Sequence, residues 1–211
     1  MRTAIHNKKQ KVATGEGAAR ERIVSEARRH FMAHGFRGVT MDDLASELGM
    51  SKKTLYAHFA SKGALLAAVI EDKLRTAEAD LDRIAAGYPG DFLKALHELL
   101  ECLRQHSEEL QPPFLRDMAR EAPELFQLVQ TRRRAFIQRH FGKLLGEGRK
   151  TGMIRKDIAT DLMIEILIGA TDALIHPRKL SKLKLPAKTC LSAITTIFLQ
   201  GVMTRSGREA L

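Results

Sequence analysis

Thr40 to Lys62 reads TMDDLASELGMSKKTLYAHFASK, and its punctuation describes two short helices joined by a tight turn. Met41, Leu44, Ala45 and Leu48 fall at i, i+3, i+4 and i+7, so they line one apolar face; Thr40 precedes them as an N-cap, with Asp42 and Asp43 in the dipole-favoured first turn. Gly49 stops that helix, because the residue after a C-cap commonly takes a positive φ that glycine adopts without steric cost. Met50 fills the angle between the helices, Ser51 caps the second, and Leu55 and Phe59 hold it against the first. The pattern is that of a helix-turn-helix.

The second helix keeps Ser51, Lys52, Lys53, Thr54, Tyr56 and His58 outside that packing, a set of hydrogen-bond donors with two fixed positive charges. Such a set suits double-stranded DNA: lysine donates to guanine or to phosphate, hydroxyls pair with either, and Tyr or His tips reach phosphate oxygens beside the major groove. Ser61 caps a third helix whose first residue is Lys62, directing a cation and a helix N-terminus at the same backbone.

These residues carry a family resemblance. The run Phe36–Lys62, with Thr40, the Leu44-Ala45 pair, Gly49, Thr54-Leu55-Tyr56-Ala57-His58-Phe59 and Ser61-Lys62, closely resembles the tetracycline-repressor (TetR) family of bacterial transcriptional regulators. The match extends from about Ala18 to Ile70, and beyond it the chain shares helical character and length. It implies an N-terminal DNA-binding domain and a C-terminal domain that dimerises and takes a small effector, with Thr40, Tyr56, His58 and Lys62 at positions that hold phosphates.

Composition agrees with a helical, polyanion-binding protein. The 211 residues are 44% hydrophobic and 5% aromatic, without Trp, and their apolar residues recur at spacings of three and four; the expectation is all-α. Net charge is +10, and 12 Lys and Arg against 6 acids place +6 of it in residues 1–63. Cys102 and Cys190 lie in apolar helical patterns and suit a reducing cytosol. No stretch has the length of a signal peptide core or a membrane span, so a cytoplasmic protein is expected.

Taken in order, residues 1–17 are expected to form a flexible basic arm with Arg2, Lys8, Lys9 and Lys11, residues 18–63 the helix-turn-helix domain, and residues 64–211 a helical effector-binding and dimerisation domain. A bracing helix runs from Ala18 to His34 and ends at Gly35. A long helix from Lys62 ends at Gly87, Asp91 caps the next, and a short segment from Pro112 to Met118 leads to a helix from Glu124 to about Leu145 with Arg132, Arg133 and Arg134 on solvent or at a rim. Asp157 caps a helix over Ile158–Ile175, His176 to Lys184 reads as an exposed basic loop, and a last helix follows Pro186.

The resemblance implies that the last two long helices pair with their copies in a homodimer, with Leu191, Ile194 and Phe198 at the interface; burial of both within one subunit is the alternative. It also implies an effector pocket among the helices from Phe92 to Ile175, for which Leu96, Leu99, Phe114, Met118, Phe136, Met163 and Leu167 are the apolar candidates. Arg133, Glu165 or Asp172 would be polar anchors for an apolar or amphipathic ligand. Glu165 or Asp172 is also placed to meet an arginine of the neighbouring helix or of another subunit. No histidine forms a metal-ligand pattern with Cys or a carboxylate at standard spacing, His30 and His34 lack a third ligand nearby, and no phosphate loop or nucleophile elbow is present. No metal, cofactor or catalytic residue is therefore expected. Two other readings stay open: an architectural DNA-binding protein without effector, and a helical carrier or enzyme with a vestigial motif.

Overall fold

In the computed structural model, which describes residues 2–108 and 111–210 and side chains over 16–108 and 111–209, the chain divides into two compact units, Met1–Asp72 and Lys73–Leu211. Among the described residues, order is helical throughout, with one isolated antiparallel bridge between Ile154 and Met203. The all-α architecture expected from the sequence is the one found among the described residues.

The first unit begins with α1 (Arg2–Gly38), broken at Gly35, where φ 79° and ψ 160° end the helical path. Helical backbone thus starts well before Ala18; the side chains of Arg2, Lys8, Lys9 and Lys11, on which the basic-arm expectation rests, lie outside the described residues. Ile23, Ala27 and Phe31, spaced by four, are fully buried and brace α2 (Met41–Glu47), α3 (Lys52–His58) and the start of α4 (Lys62–Gly87). Met41, Leu44, Ala45, Leu55, Phe59, Leu65, Leu66 and Val69 complete this core, while Leu48 is half-buried.

The second unit contains the rest of α4, α5 (Phe92–Glu108), α6 (Pro112–Glu121), α7 (Pro123–Phe136), a π-turn (Ile137–Phe141), α8 (Gly142–Lys150), α9 (Thr160–Leu174), α10 (Pro177–Leu183), α11 (Ala187–Val202) and α12 (Arg205–Ala210). The single helix expected from Glu124 to Leu145 is thus interrupted. A π-turn adds a residue to the winding and rotates the next turns about the helix axis, so Ile137, His140 and Phe141 turn inward while Phe136 stays half-buried.

Two further expectations are corrected. Asp157 does not cap α9, whose N-cap is Ala159; its carboxylate is taken by the Arg155 guanidinium at 2.7 Å. His176–Lys184 is not an exposed loop, because His176 caps α10 through Arg178 N–H, Pro177 starts it, and Pro177 and Leu180 are buried. Arg132, Arg133 and Arg134 stay at a rim, as expected, with side chains 37%, 21% and 51% exposed, and the first two are ion-paired there, Arg132 with Glu78 and Arg133 with Asp172, each at 2.5 Å.

Candidate nucleic-acid interface and effector recess

Local hydrogen bonds set the shape of the motif. Asp43 N–H donates to Thr40 Oγ1 at 3.1 Å, and Thr40 N–H and hydroxyl donate to Asp43 Oδ2 at 2.9 and 2.7 Å, a reciprocal capping box. These bonds stabilise the ionised Asp43 and hold its carboxyl below the usual range. At the other end of α2, Gly49 N–H donates to Ser46 O at 3.0 Å and Met50 N–H to Ala45 O at 2.9 Å, the double closure that needs the φ of +63° at Gly49. Arg22 donates to the Leu48 carbonyl at 3.2 Å, satisfying another free acceptor of that helix end. Ser51 and Ser61 accept from Thr54 N–H at 3.1 Å and Ala64 N–H at 3.0 Å, so α3 and α4 also begin on side-chain caps.

Most of α3 is then left over. Leu55 is the buried residue of its seven; Ser51, Lys52, Lys53, Thr54 and Tyr56 are exposed, Tyr56 by 47%, and His58 is half-buried. The two lysines differ in a way their adjacency conceals: Lys52 Nζ is ion-paired with Asp42 of α2, whereas Lys53 has no ion-pair partner among the described residues. Thr40 is exposed with its hydroxyl committed to Asp43, and half-buried Lys62 places Nζ 4.3 Å from the Phe36 ring centroid, a cation–π contact. Arg20 lies likewise over Phe59 at 4.9 Å. Residues of three elements therefore assemble a polar, positively charged surface that local capping keeps rigid.

The second unit treats the residues expected to line a pocket unevenly. A recess of about 270 Å³ opens among α4, α5, the π-turn and α8, lined by Leu81, Ile84, Tyr88, Phe92, Leu99 and Leu144, with His140, Lys143 and Glu147 among its polar members. Of the candidates, Leu99 lines it; Leu96, Phe114, Met118, Met163 and Leu167 are buried in the core instead, and Phe136 is half-buried elsewhere. The expected anchors pair with one another: Arg133 with Asp172 at 2.5 Å, and Arg134 with Asp172 at 3.6 Å and Glu165 at 3.8 Å. Acidic residues of α9 meeting arginines of the neighbouring helix is what the sequence led us to expect. Burial lowers the Arg133 pKa, an effect Asp172 opposes, and it lowers that of His140, favouring the neutral imidazole. The π-turn that brings His140 inward has no sequence signal that would have announced it.

Of the residues expected at a subunit interface, Ile194 and Phe198 are buried in the chain's own core, with Phe198 edge-on to Phe141 at 6.5 Å, and Leu191 is half-buried. The large apolar side chains exposed on α9 and α11 are instead Leu162 (55%) and Ile166 (54%) on α9 and, one turn from Ile194, Ile197 (74%) on α11. No described helix is long and apolar enough to cross a membrane.

Two clusters of potential metal ligands correct the expectation that no histidine is spaced for a ligand pair, because Glu26 and His30, and Cys102 and His106, each stand one helical turn apart. Glu26 and Glu47 converge on His30, and Asp80 of α4 converges on Cys102 and His106, four apart on α5. In the second, His106 Nε2 lies 3.2 Å from Asp80 Oδ2 and Arg83 Nη2 donates to Asp80 Oδ1 at 3.0 Å. Burial pushes the Cys102 thiol up to about 11, and the bond from Arg83 keeps Asp80 below the usual carboxylate range.

Comparison with known proteins bears on both units. Residues 23–69 match the family described as "Bacterial regulatory proteins, tetR family". The HTH-type transcriptional regulator YvaF of Bacillus subtilis (strain 168) is 28% identical over 199 residues, covering 90% of this chain and 98% of its own. The HTH-type transcriptional repressor DhaR of Mycobacterium sp. (strain GP1) is also 28% identical, over 83% of this chain and 89% of its own. Among solved structures, a transcriptional regulator from Saccharomonospora viridis in complex with choline shares the fold, with a TM-score of 0.66 at 22% identity over 90% of this chain and 100% of that one.

Proposed function

Because the chain belongs to the tetR family of bacterial regulatory proteins, we propose that this transcriptional regulator is a cytoplasmic repressor. In this reading it binds a nearly palindromic DNA operator as a homodimer and is released by a small apolar or amphipathic molecule. The observation that carries it is α3, which gives one residue, Leu55, to the core. A helix serving as scaffold buries a stripe; this one leaves Ser51, Lys53, Thr54 and Tyr56 exposed on a capped frame. N-terminal residues of a second motif helix meet base edges in helix-turn-helix proteins generally, so Ser51, Lys53 and Thr54 read bases, while Tyr56, His58, Lys62 and Thr40 hold phosphates.

Dimerisation is supported by Leu162, Ile166 and Ile197, whose exposure on α9 and α11 a second copy would end. The effector enters the recess beside Leu99, where about 270 Å³ suits a compact ligand of few heavy atoms and neutral His140 supplies one polar contact. The Saccharomonospora protein, solved with choline, is a regulator of this fold with a small organic molecule bound. Release demands differential affinity: a hundredfold loss of DNA binding takes about 2.7 kcal/mol of coupling, and operator must weaken the ligand by the same factor.

The deciding experiment is selection of bound sequences from random duplex DNA. Recovery of an inverted repeat, with half-sites about one helical turn or a multiple of it apart and binding lost on Lys53→Ala, is the expected result. Absence of any enriched sequence would overturn the operator reading. Enrichment without symmetry would overturn the dimeric one.

A further inference from the structure

The ligand clusters differ in whether a cation already fills them. At Glu26, His30 and Glu47, the Arg29 guanidinium sits on the same carboxylate oxygens that face His30, 2.5 Å from Glu26 Oε1 and 3.0 Å from Glu47 Oε1. An arginine has taken the place of a metal there. At Asp80 the arginine takes the opposite oxygen, Oδ1, and leaves Oδ2 facing His106 Nε2. The Asp80, Cys102 and His106 donor atoms all lie within 4.8 Å of one another, and the thiol is the buried member. A simple strap between α4 and α5 would need only the Asp80–His106 bond; it gives no reason for a sulfur at the third corner.

We propose that Asp80, Cys102 and His106 form a binding site for a divalent transition metal ion of the zinc class. Sulfur, nitrogen and carboxylate oxygen together select Zn²⁺, Co²⁺ or Ni²⁺ over Mg²⁺ and Ca²⁺, which demand oxygen. Helical spacing places Cys102 and His106 on one face of α5, so a small rotation of each side chain closes the set to bonding distance. As the metal–sulfur bond forms, the Cys102 S–H bond breaks and its proton goes to solvent. His106 gives up its hydrogen bond to Asp80 and offers the Nε2 lone pair, and Asp80 binds through Oδ2 as the anion it already is. Thiolate and carboxylate neutralise the dication. Three protein ligands leave one tetrahedral position for water, and the side chains of Asp80 and His106, 35% and 22% exposed, give that position access to solvent. Arg83, bonded to the outer carboxylate oxygen, holds Asp80 in orientation from behind.

This site does not depend on the DNA reading and is tested without DNA. Metal-stripped, reduced full-length protein is titrated with Co²⁺. One equivalent per chain should develop a thiolate-to-cobalt charge-transfer band, which Zn²⁺ then bleaches. The band should persist in Cys190→Ser and vanish in Cys102→Ser. Half-exposed His106→Gln and Asp80→Asn, which leave the core intact, should each weaken Zn²⁺ at least tenfold in competition with a chromophoric chelator. A missing cobalt band in the unmodified protein, a band that survives Cys102→Ser, or a Zn²⁺ affinity indifferent to both polar variants would each overturn the assignment.

Discussion

The two units are built from different kinds of information. In Met1–Asp72 the beginnings of α2, α3 and α4 and the end of α2 are each fixed by a side chain or glycine within four residues: Thr40 with Asp43, Ser51, Ser61 and Gly49. In Lys73–Leu211 the N-caps Gln111, Ala122, Ala159 and Pro186 make no side-chain cap bond. Asp91, His176 and Thr204 are the capped exceptions. Helices of the second unit are placed instead by what they bury and by pairs remote in sequence, such as Arg132 with Glu78. In the function proposed, a surface that presents the same donors to every operator gains from local rigidity, whereas a unit fixed by tertiary packing can repack around a ligand.

The largest effect is expected at neighbouring turns of α11, where tertiary packing alone decides which side chain is core. Ile194 is buried and Ile197 is 74% exposed, although both fit the same apolar periodicity. Ile194→Asp should bury an unpaired charge and destabilise the chain by more than about 4 kcal/mol. Ile197→Asp should leave helix content intact while shifting sedimentation at micromolar concentration from dimer to monomer. Equal loss of thermal stability in the two variants would mean that the faces of α11 are wrongly assigned.

Two glycines draw the same distinction at smaller scale. At Gly148 an added Cβ would meet Ile154 Cγ1 at 2.5 Å and Phe92 Cε2 at 2.6 Å, so Gly148→Ala should cost about 1–3 kcal/mol by overpacking. Gly49→Ala meets nothing within 4 Å, and its cost of about 1–2 kcal/mol is conformational, from the φ of +63°. Denaturant titrations of double mutants separate the causes: Phe92→Leu should couple with Gly148→Ala and leave Gly49→Ala unaffected. Coupling at both sites, or at neither, would erase the contrast.

The same difference explains what the sequence disclosed. Gly49, Thr40 and Ser51 were legible because their requirement is met within a turn of chain. The burial of Met163 and Leu167 as core was not distinguishable from pocket lining, since apolarity says that a residue leaves water but not what it meets. The same limit applies to Ile194 and Phe198, expected at a subunit interface and buried within the chain itself. Phe136 lies just before a π-turn that changes the helical phase in a run whose composition is ordinary for a helix, and it does not line the recess beside Leu99. Asp80 reaches Cys102 and His106 only through the packing of α4 on α5, so a spacing search along the chain could not find it.

Within the reading head, adjacent lysines show how far local design reaches. Lys53→Ala should reduce affinity for the selected operator by about 1–3 kcal/mol and relax preference at one position, the mark of a base contact. Lys52→Ala should cost less, because that side chain must first leave Asp42. Asp42→Asn, which frees Lys52, should tighten binding to all sequences alike and steepen the salt dependence. Quantitative mobility shifts across a salt series give all three results, and a larger loss from Lys52→Ala than from Lys53→Ala would reverse the assignment of the two.

The smallest expected effect concerns Thr40, where folding and binding compete for one hydroxyl. Thr40 Oγ1 accepts from Asp43 N–H and donates to the Asp43 carboxylate, so a phosphate can engage it only by taking over one of those bonds. Thr40→Ala should therefore cost the free protein about 1 kcal/mol, the usual worth of an N-cap, and operator binding should fall by no more than the frayed cap explains. The carboxylate supplies a second readout. Bonds from the Thr40 hydroxyl and backbone N–H depress the folded pKa of Asp43, so its contribution to stability is present above the ordinary carboxylate pKa of about 4. As pH falls through the lowered value, the carboxylate is protonated and that contribution is lost. In Thr40→Ala the Asp43 pKa should rise towards the ordinary value, and the acid-side loss of stability should shrink with it. Carboxyl-carbon NMR titration of Asp43 in the two proteins measures the shift directly. An unchanged titration midpoint would show that the capping box does not hold in solution, and with it would go the argument that the reading head is rigid by local design.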